Sequence, residues 1–553
     1  MKTNYINNKA MMLRTIKSVL LVFALVLFVQ SCEDRLDLQP EDERLTADAA
    51  FEDPEAYKEF LGKIYAGISL SGQEGPAGSP DLQGLDEGFS NYLRLYWKMQ
   101  ELTTDEALIA WNDGTIQDLH AQVWTSGNEF IRTMYSRIMY QVALCNEFIR
   151  QTTDSKLDGR GVSSELRAEI QTFRAEVRFM RALSYWHAMD LFANPPFITE
   201  DDPIGAFLPP QIQRADLFAW IEGEALGTQS RPGFLEDLAD ARSNEYGRAD
   251  KAAGWMLLAK LYLNAEVYTG SPRYADVITY ANNIINAGYT IPGVPYSHSF
   301  LADNSTNGAQ NEVIFTIPFD GLRTQAFGGM TFLTHAPVGG TMNDIATSFF
   351  GINGGWFGVR TTPTLVEQFP GEENSADGRA LIWADGQTKD IASVSTFTDG
   401  YGMFKYRNVD VNGNQGSDTT GNHTDIDFPM FRLADVYLMY AEAVLQGGGG
   451  DLGTATGYIN ELRQRAYGDT SGNISQGDLN LDFIIDERSR ELYWEAHRRT
   501  DLIRFNQFSD NGVWQWKGGV QSGTTTESFR DVMPIPETDL GINTNLEQNP
   551  GYN

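Results

Sequence analysis

The sequence is poor in cysteine, with two in 553 residues, Cys32 and Cys145. No disulfide framework is available, so the fold must be held by packing. It is poor in positive charge: 42 Lys and Arg stand against 74 Asp and Glu, a formal net charge of −32. Such a chain has no electrostatic grip on phosphate backbones or other polyanions, which excludes nucleic acid as a partner and leaves neutral ligands. It has no apolar run long enough to span a bilayer, which takes about 20 residues. The six histidines, His120, His187, His298, His335, His423 and His497, include no His-x-x-x-His spacing, so a catalytic zinc site is not indicated. There is no Gly-x-Ser-x-Gly elbow, no phosphate-binding glycine loop and no carboxylate pair that stands out for glycosidase chemistry. Catalytic residues are accordingly not assigned. What is present is 42% apolar and 12% aromatic residues, enough for a large core and incompatible with global disorder.

The N-terminus reads as an export signal. Residues 1–31 carry Lys2, Lys9, Arg14 and Lys17 and no acid, and Val19 to Val29 is an unbroken apolar run. About a dozen residues is the length of a signal-peptide core. Val29-Gln30-Ser31-Cys32 follows and looks like a lipoprotein cleavage box, with Cys32 as the acylated first residue of the mature chain. Acyl chains contribute about 0.8 kcal/mol per buried methylene to membrane anchoring. Glu33-Asp34 resembles a surface-export tag. Cys145, among Val142, Leu144, Phe148 and Ile149, reads as a buried structural thiol.

Beyond a polar tether at 32–50, residues 51–553 read as a single domain. Apolar positions recur with helical spacing over 130–149, 166–191, 215–226, 249–267, 274–285, 431–445, 455–465 and 481–505. Asn194-Pro195-Pro196 ends the second. The mixture of small and large residues at 252–262 permits close helix pairing of the tetratricopeptide kind. The charges Glu487, Arg488, Arg490, Glu491, Glu495, Arg498 and Arg499 read as i,i+4 pairs along one long helix. Trp186, Trp220, Trp255 and Trp494 fall on helices and read as core. Residues 71–128 and 291–424 are rich in Gly, Asn, Asp, Ser and Thr and lose helical periodicity, with 313–317 as a strand. Long ordered loops of this kind usually carry function. The fold class is mostly α: a tetratricopeptide-like helical scaffold with a large loop-rich region containing short strands.

Within those loops, Trp111, Trp356 and Phe327 are flanked by Gly and Asn. A ring so placed is poorly suited to a helical core. It suits a sugar, whose C–H face stacks on the ring while its hydroxyls reach Asn, Asp or Arg; each ring offers up to about 150–250 Å².

Several ordered markers carry a family resemblance: Phe173-Arg174-Ala175-Glu176-Val177-Arg178 with Asn194-Pro195-Pro196-Phe197, Pro429-Met430-Phe431-Arg432-Leu433-Ala434-Asp435, Asp486-Glu487-Arg488 through Arg498-Arg499-Thr500-Asp501, and Asn549-Pro550-Gly551-Tyr552. The chain resembles the SusD/RagB nutrient-binding outer-membrane lipoproteins. Segments such as Thr104-Asp105-Glu106-Ala107 and Trp514-Gln515-Trp516-Lys517 are similar to the family's starch-binding branch. The resemblance implies a lipid-anchored outer-membrane protein facing the cell exterior. It implies capture of α-1,4-glucan by an arc of three aromatics, and delivery to a SusC-type TonB-dependent transporter; the alternatives are a different polysaccharide on the same scaffold and, behind it, a glycoside-active enzyme. Carried over by position, the arc is Trp111, Phe327 and Trp356, with Arg94 and either Asn112 or Asp113 as hydrogen-bonding partners. The segment between Phe327 and Trp356 is longer than the family pattern. The resemblance also implies a structural Ca2+ held by Asp425 and Asp427, with Asp303 as a further ligand. The alternative is an Asp-rich turn capping the helix that follows.

Overall fold

The computed structural model describes residues 47–76, 80–82 and 88–552. The signal peptide, Cys32 and most of the tether lie outside the described residues; Ala47–Ala50, at the tether's end, forms one helical turn. The chain divides into two units, Met1–Tyr57 and Lys58–Asn553. Among the described residues no helix is long and apolar enough to cross a membrane.

The larger helices are α1 (Ala56–Ser69), α2 (Tyr92–Glu101), α3 (Glu129–Gln151), α4 (Ser164–Phe192), α5 (Arg214–Leu226), α6 (Lys251–Leu263), α7 (Tyr274–Asn286), α8 (Gly329–His335), α9 (Leu433–Leu445), α10 (Leu452–Tyr467), α11 (Leu481–Leu492) and α12 (Arg498–Arg504). Their starts follow from short polar caps. Asn128 Oδ1 accepts from the amides of Phe130 and Ile131, Ser163 from Leu166, and Asp250 from Ala252 and Ala253. Successive helices then pair: α3 with α4, α4 with α5, α6 with α7, α7 with α9, and α9 with α10 and α11. Cys145 is fully buried on α3, and burial pushes its thiol up to about 12. Trp186 and Trp494 are core residues, whereas Trp220 and Trp255 are half-buried.

Strands are short. β1 (Ala107–Ile109) pairs antiparallel with β3 (Val359–Thr361), and β2 (Val313–Ile317) with β4 (Phe428–Arg432). β4 corrects the sequence reading, which began a helix at residue 431. Phe431 is extended opposite Phe315, and α9 starts at Leu433.

A second correction concerns residues 481–505, which read as one helix. The helix breaks between α11 and α12, where Trp494 and Ala496 take positive φ. The freed carbonyls have distant donors: Lys405 Nζ donates to Tyr493 O, while Trp97 Nε1 (3.0 Å) and Tyr406 Oη (2.8 Å) donate to Trp494 O. Likewise, most charges on this segment are not i,i+4 pairs. They are buried and paired across the fold. Glu491 meets Arg432 at 2.7 Å and Arg379 at 3.1 Å, Arg498 meets Asp105 at 2.7 Å, and Arg499 meets Asp190 at 2.8 Å. Arg490 with Glu487 is a local i,i+3 pair. Burial pushes the Glu491 carboxyl upward, but Arg465, Arg432 and Arg379 outweigh it and hold it down at about 2.

Candidate functional site

The ribbon of β1 and β3 builds the site. Its register sets Ile109 opposite Val359, and Ala110 N–H donates to Gly358 O at 2.8 Å, extending the ladder one step. The next residue on one strand is Trp111, and the preceding residues on the other are Trp356 and Phe357. Antiparallel pairing therefore brings together rings 245 positions apart in sequence. Trp111 Nε1 donates to Trp356 O at 2.9 Å, and the rings lie 6.4 Å apart at 39°. Gly358 makes this possible: a Cβ there would sit 2.7 Å from two carbons of the Trp111 ring.

Trp356 is fixed from α8. Its N–H donates to His335 O at 2.9 Å, and its ring stacks on the His335 ring at 4.9 Å and 21°. His335 is 1% exposed, and burial lowers it to about 4, so at neutral pH Trp356 rests on an uncharged imidazole. Phe327 precedes α8 and lies 6.4 Å from Trp356 at 63°, with His423 at 5.5 Å from its own ring. Between Phe327 and Trp356 the chain forms α8 and the short helical turns Gly340–Ile345 and Ala346–Phe350, and Trp356 sits beside both other rings. Trp111, Trp356 and Phe327 are all half-buried, leaving part of each ring for a ligand.

Arg94, on α2, lies beneath this row rather than on it. It is 6% exposed, its Nη1 donates to Phe327 O at 3.0 Å, and its guanidinium lies 4.6 Å from the Phe332 ring centre. Asn91, the cap of α2, accepts from Arg94 N–H and from Gly329 N–H (3.0 Å), tying α2 to the start of α8. Asn112 and Asp113 are both exposed beside Trp111, and their side chains make no hydrogen bond to other described residues. Both are open to a ligand hydroxyl.

Sequence reasoning missed His335, Phe332, Gly358 and Gln117, whose Nε2 donates to Trp111 O at 2.9 Å. It also passed over Phe357, which is 44% exposed and held at φ +53° against Phe397. The bulky residue at positive φ was the available signal only in structure; in sequence it hides between glycines.

The three carboxylates expected to hold calcium are bonded to protein donors in the structure. Asp425 Oδ1 accepts from Gly321 N–H (2.6 Å) and Ser417 Oγ (2.7 Å). Asp427 accepts from Phe319 N–H (2.8 Å) and Tyr246 Oη (2.9 Å), and Asp303 from Asn307 Nδ2 (3.0 Å) and Val411 N–H (3.2 Å). Their oxygens are engaged by protein donors, and among the described residues no three His, Cys, Asp or Glu side chains converge as a metal site. In the structure the segment forms a turn, pinned by these bonds, that leads into β4.

A SusD-family profile matches residues 372–552. The chain is 34% identical, over 593 aligned positions covering 100% of both chains, to the starch-binding protein SusD of Bacteroides thetaiotaomicron. It is 28% identical to SusD-like protein P25 of Formosa agariphila, covering 72% of this chain and 75% of that one. Among solved structures, surface glycan-binding protein A of Bacteroides fluxus matches with a TM-score of 0.67 at 19% identity, covering 90% of this chain and 99% of that chain. Surface glycan-binding protein A of Bacteroides thetaiotaomicron, in complex with laminarihexaose, matches at 0.64 and 18% with the same coverage. At these identities the solved structures speak for the fold alone.

Proposed function

The chain belongs to the SusD family, and from that premise we propose that it is a non-catalytic surface binder of starch-like α-1,4-glucan. The observation that carries the reading is the row of Trp111, Trp356 and Phe327, with Trp111 and Phe327 each 6.4 Å from Trp356 and all three partly open to solvent. Successive glucose units would stack on the rings, while Asn112 or Asp113 takes a hydroxyl. Arg94 acts as a positioning residue by fixing Phe327 from below. The imidazoles beneath Trp356 and Phe327 are both lowered by burial, and Asp113 is an exposed carboxylate at the edge of the row.

Three stacked rings and a few hydrogen bonds correspond to roughly −4 to −6 kcal/mol, that is, high-micromolar to millimolar dissociation constants. Cyclic or longer glucans that already hold the helical curve should bind more tightly than maltose, since less ordering is lost. Acylation at Cys32 would anchor the protein at the outer membrane facing outward, and the bound oligosaccharide would pass to a SusC-type TonB-dependent transporter. Calorimetry of the purified protein with cyclic and linear maltooligosaccharides tests the substrate. Binding should be abolished in Trp111→Ala, while laminarihexaose, as a β-linked comparator, should give less heat. No heat with any α-glucan would overturn the starch reading and direct the search to other neutral glycans.

A further inference from the structure

Away from the ring row, a cavity of about 590 Å³ opens between the end of α3, the first half of α4 and the segment around Pro232. That is the size of a small-ligand site. Its lining holds four arginines against two carboxylates, Asp154 and Asp237, in a chain whose net charge is −32. Arg174, Arg178 and Arg231 all line it. Arg178 and Arg231, with Arg181 behind them, share only two carboxylates, Glu224 and Glu200, at 2.5–3.2 Å. Arg174 has no ion pair among the described residues. Its Nη1 donates to Ile149 O (2.8 Å), Thr152 O (2.9 Å) and Thr152 Oγ1 (2.6 Å), and Nε and Nη2 have no acceptor there. A guanidinium bonded through one nitrogen retains a fork for a carboxylate or phosphate.

The rest of the lining is not that of a simple anion trap. Leu157 and Ile170 make one side apolar, and Asp154, Asp237 and Gln171, whose Nε2 donates to Asp237 Oδ1 at 2.8 Å, stand at the rim as hydroxyl partners. We infer that this cavity binds a small hydroxylated anion, a sugar acid or sugar phosphate, with Arg174 on the anionic group, the apolar wall on the C–H face and the rim on hydroxyls. The site is independent of the glucan row, and its occupant is the kind of charged monosaccharide that the neutral ring row does not select.

The test is titration of the purified protein with D-glucuronate, glucose 1-phosphate, glucose and inorganic phosphate, followed by calorimetry or ligand-observed NMR. Saturable binding of one or both sugar anions, at least tenfold tighter than glucose or inorganic phosphate and weakened by salt, is the expected result. The stronger of the two identifies carboxylate or phosphate as the preferred group. Arg174→Gln should weaken that binding tenfold or more, Arg174→Lys less, and Trp111→Ala not at all. Absence of binding by both sugar anions in the unmodified protein overturns the proposal. So does inorganic phosphate binding as tightly as either, or a well-folded Arg174→Gln that binds undiminished.

Discussion

Two regions of this protein treat buried polar groups in opposite ways. Around α9 to α12, charges are brought inside and matched, Arg432 alone meeting Glu312, Glu491 and Glu495 at 2.6–2.8 Å. At the ring row, the groups under the aromatics are one guanidinium, Arg94, which bonds a backbone carbonyl and faces rings, and two imidazoles, His335 and His423, that burial lowers. The first arrangement makes loss of any one partner costly, because the others remain as uncompensated charges. The second holds its rings with backbone carbonyls and ring faces in place of ion pairs. Rigidity and recognition are thus assigned to different chemistries in different parts of one chain.

The comparison breaks most visibly on the charged side. Glu491→Ala takes a shared buried carboxylate from Arg432, Arg465 and Arg379, and should cost about 3–5 kcal/mol of stability, read as a large fall in denaturation midpoint. On the ring side, Gly358→Ala drives a methyl into the Trp111 ring. Overpacking of this kind costs about 1–3 kcal/mol, and here it should fall mainly on glucan affinity, with a smaller change in melting temperature.

The subtlest effect lies where the two regions meet. Glu101, at the end of α2, and Glu106, before β1, are both buried, and both are raised, first by burial. Glu101's second cause is the charge of Glu106. For Glu106, Arg498 pulls down and Asp105 pushes up, leaving it at about 7; Ser489 Oγ donates to it at 2.7 Å, and His497 N–H donates to Glu101 at 3.1 Å. A carboxyl raised by folding binds its proton more tightly in the native state. Its favourable contribution is complete below the unfolded value and is lost as pH rises toward about 7. Glu491, lowered by folding, behaves in reverse and loses its contribution as pH falls toward 2. Glu106→Gln should therefore flatten the decline in stability between about pH 4.5 and 7, measured by urea melts across that range.

The contrast also explains what the sequence disclosed. The helices of the scaffold were legible because their apolar spacing and caps are local. α3 runs Glu129–Gln151 where periodicity marked 130–149. Trp111 and Trp356 were legible as displayed rings because glycine and asparagine surround them. Their adjacency was not, since it depends on a ribbon joining residues 107–109 to 359–361. The break at Trp494 was equally hidden, because its carbonyl is satisfied by Trp97 and Tyr406 from remote segments. Local periodicity carries no trace of such partners. The histidine under Trp356 had no spacing signal at all.

The bond from Trp111 Nε1 to Trp356 O has a consequence of its own. It closes the open end of a ribbon only three residues long on each strand. A glycan lying across both rings would therefore act as a splint on that ribbon. Occupancy would slow hydrogen–deuterium exchange at Ala110 and Gly358, amides that touch no sugar, so the backbone itself would report a ligand that only the side chains hold.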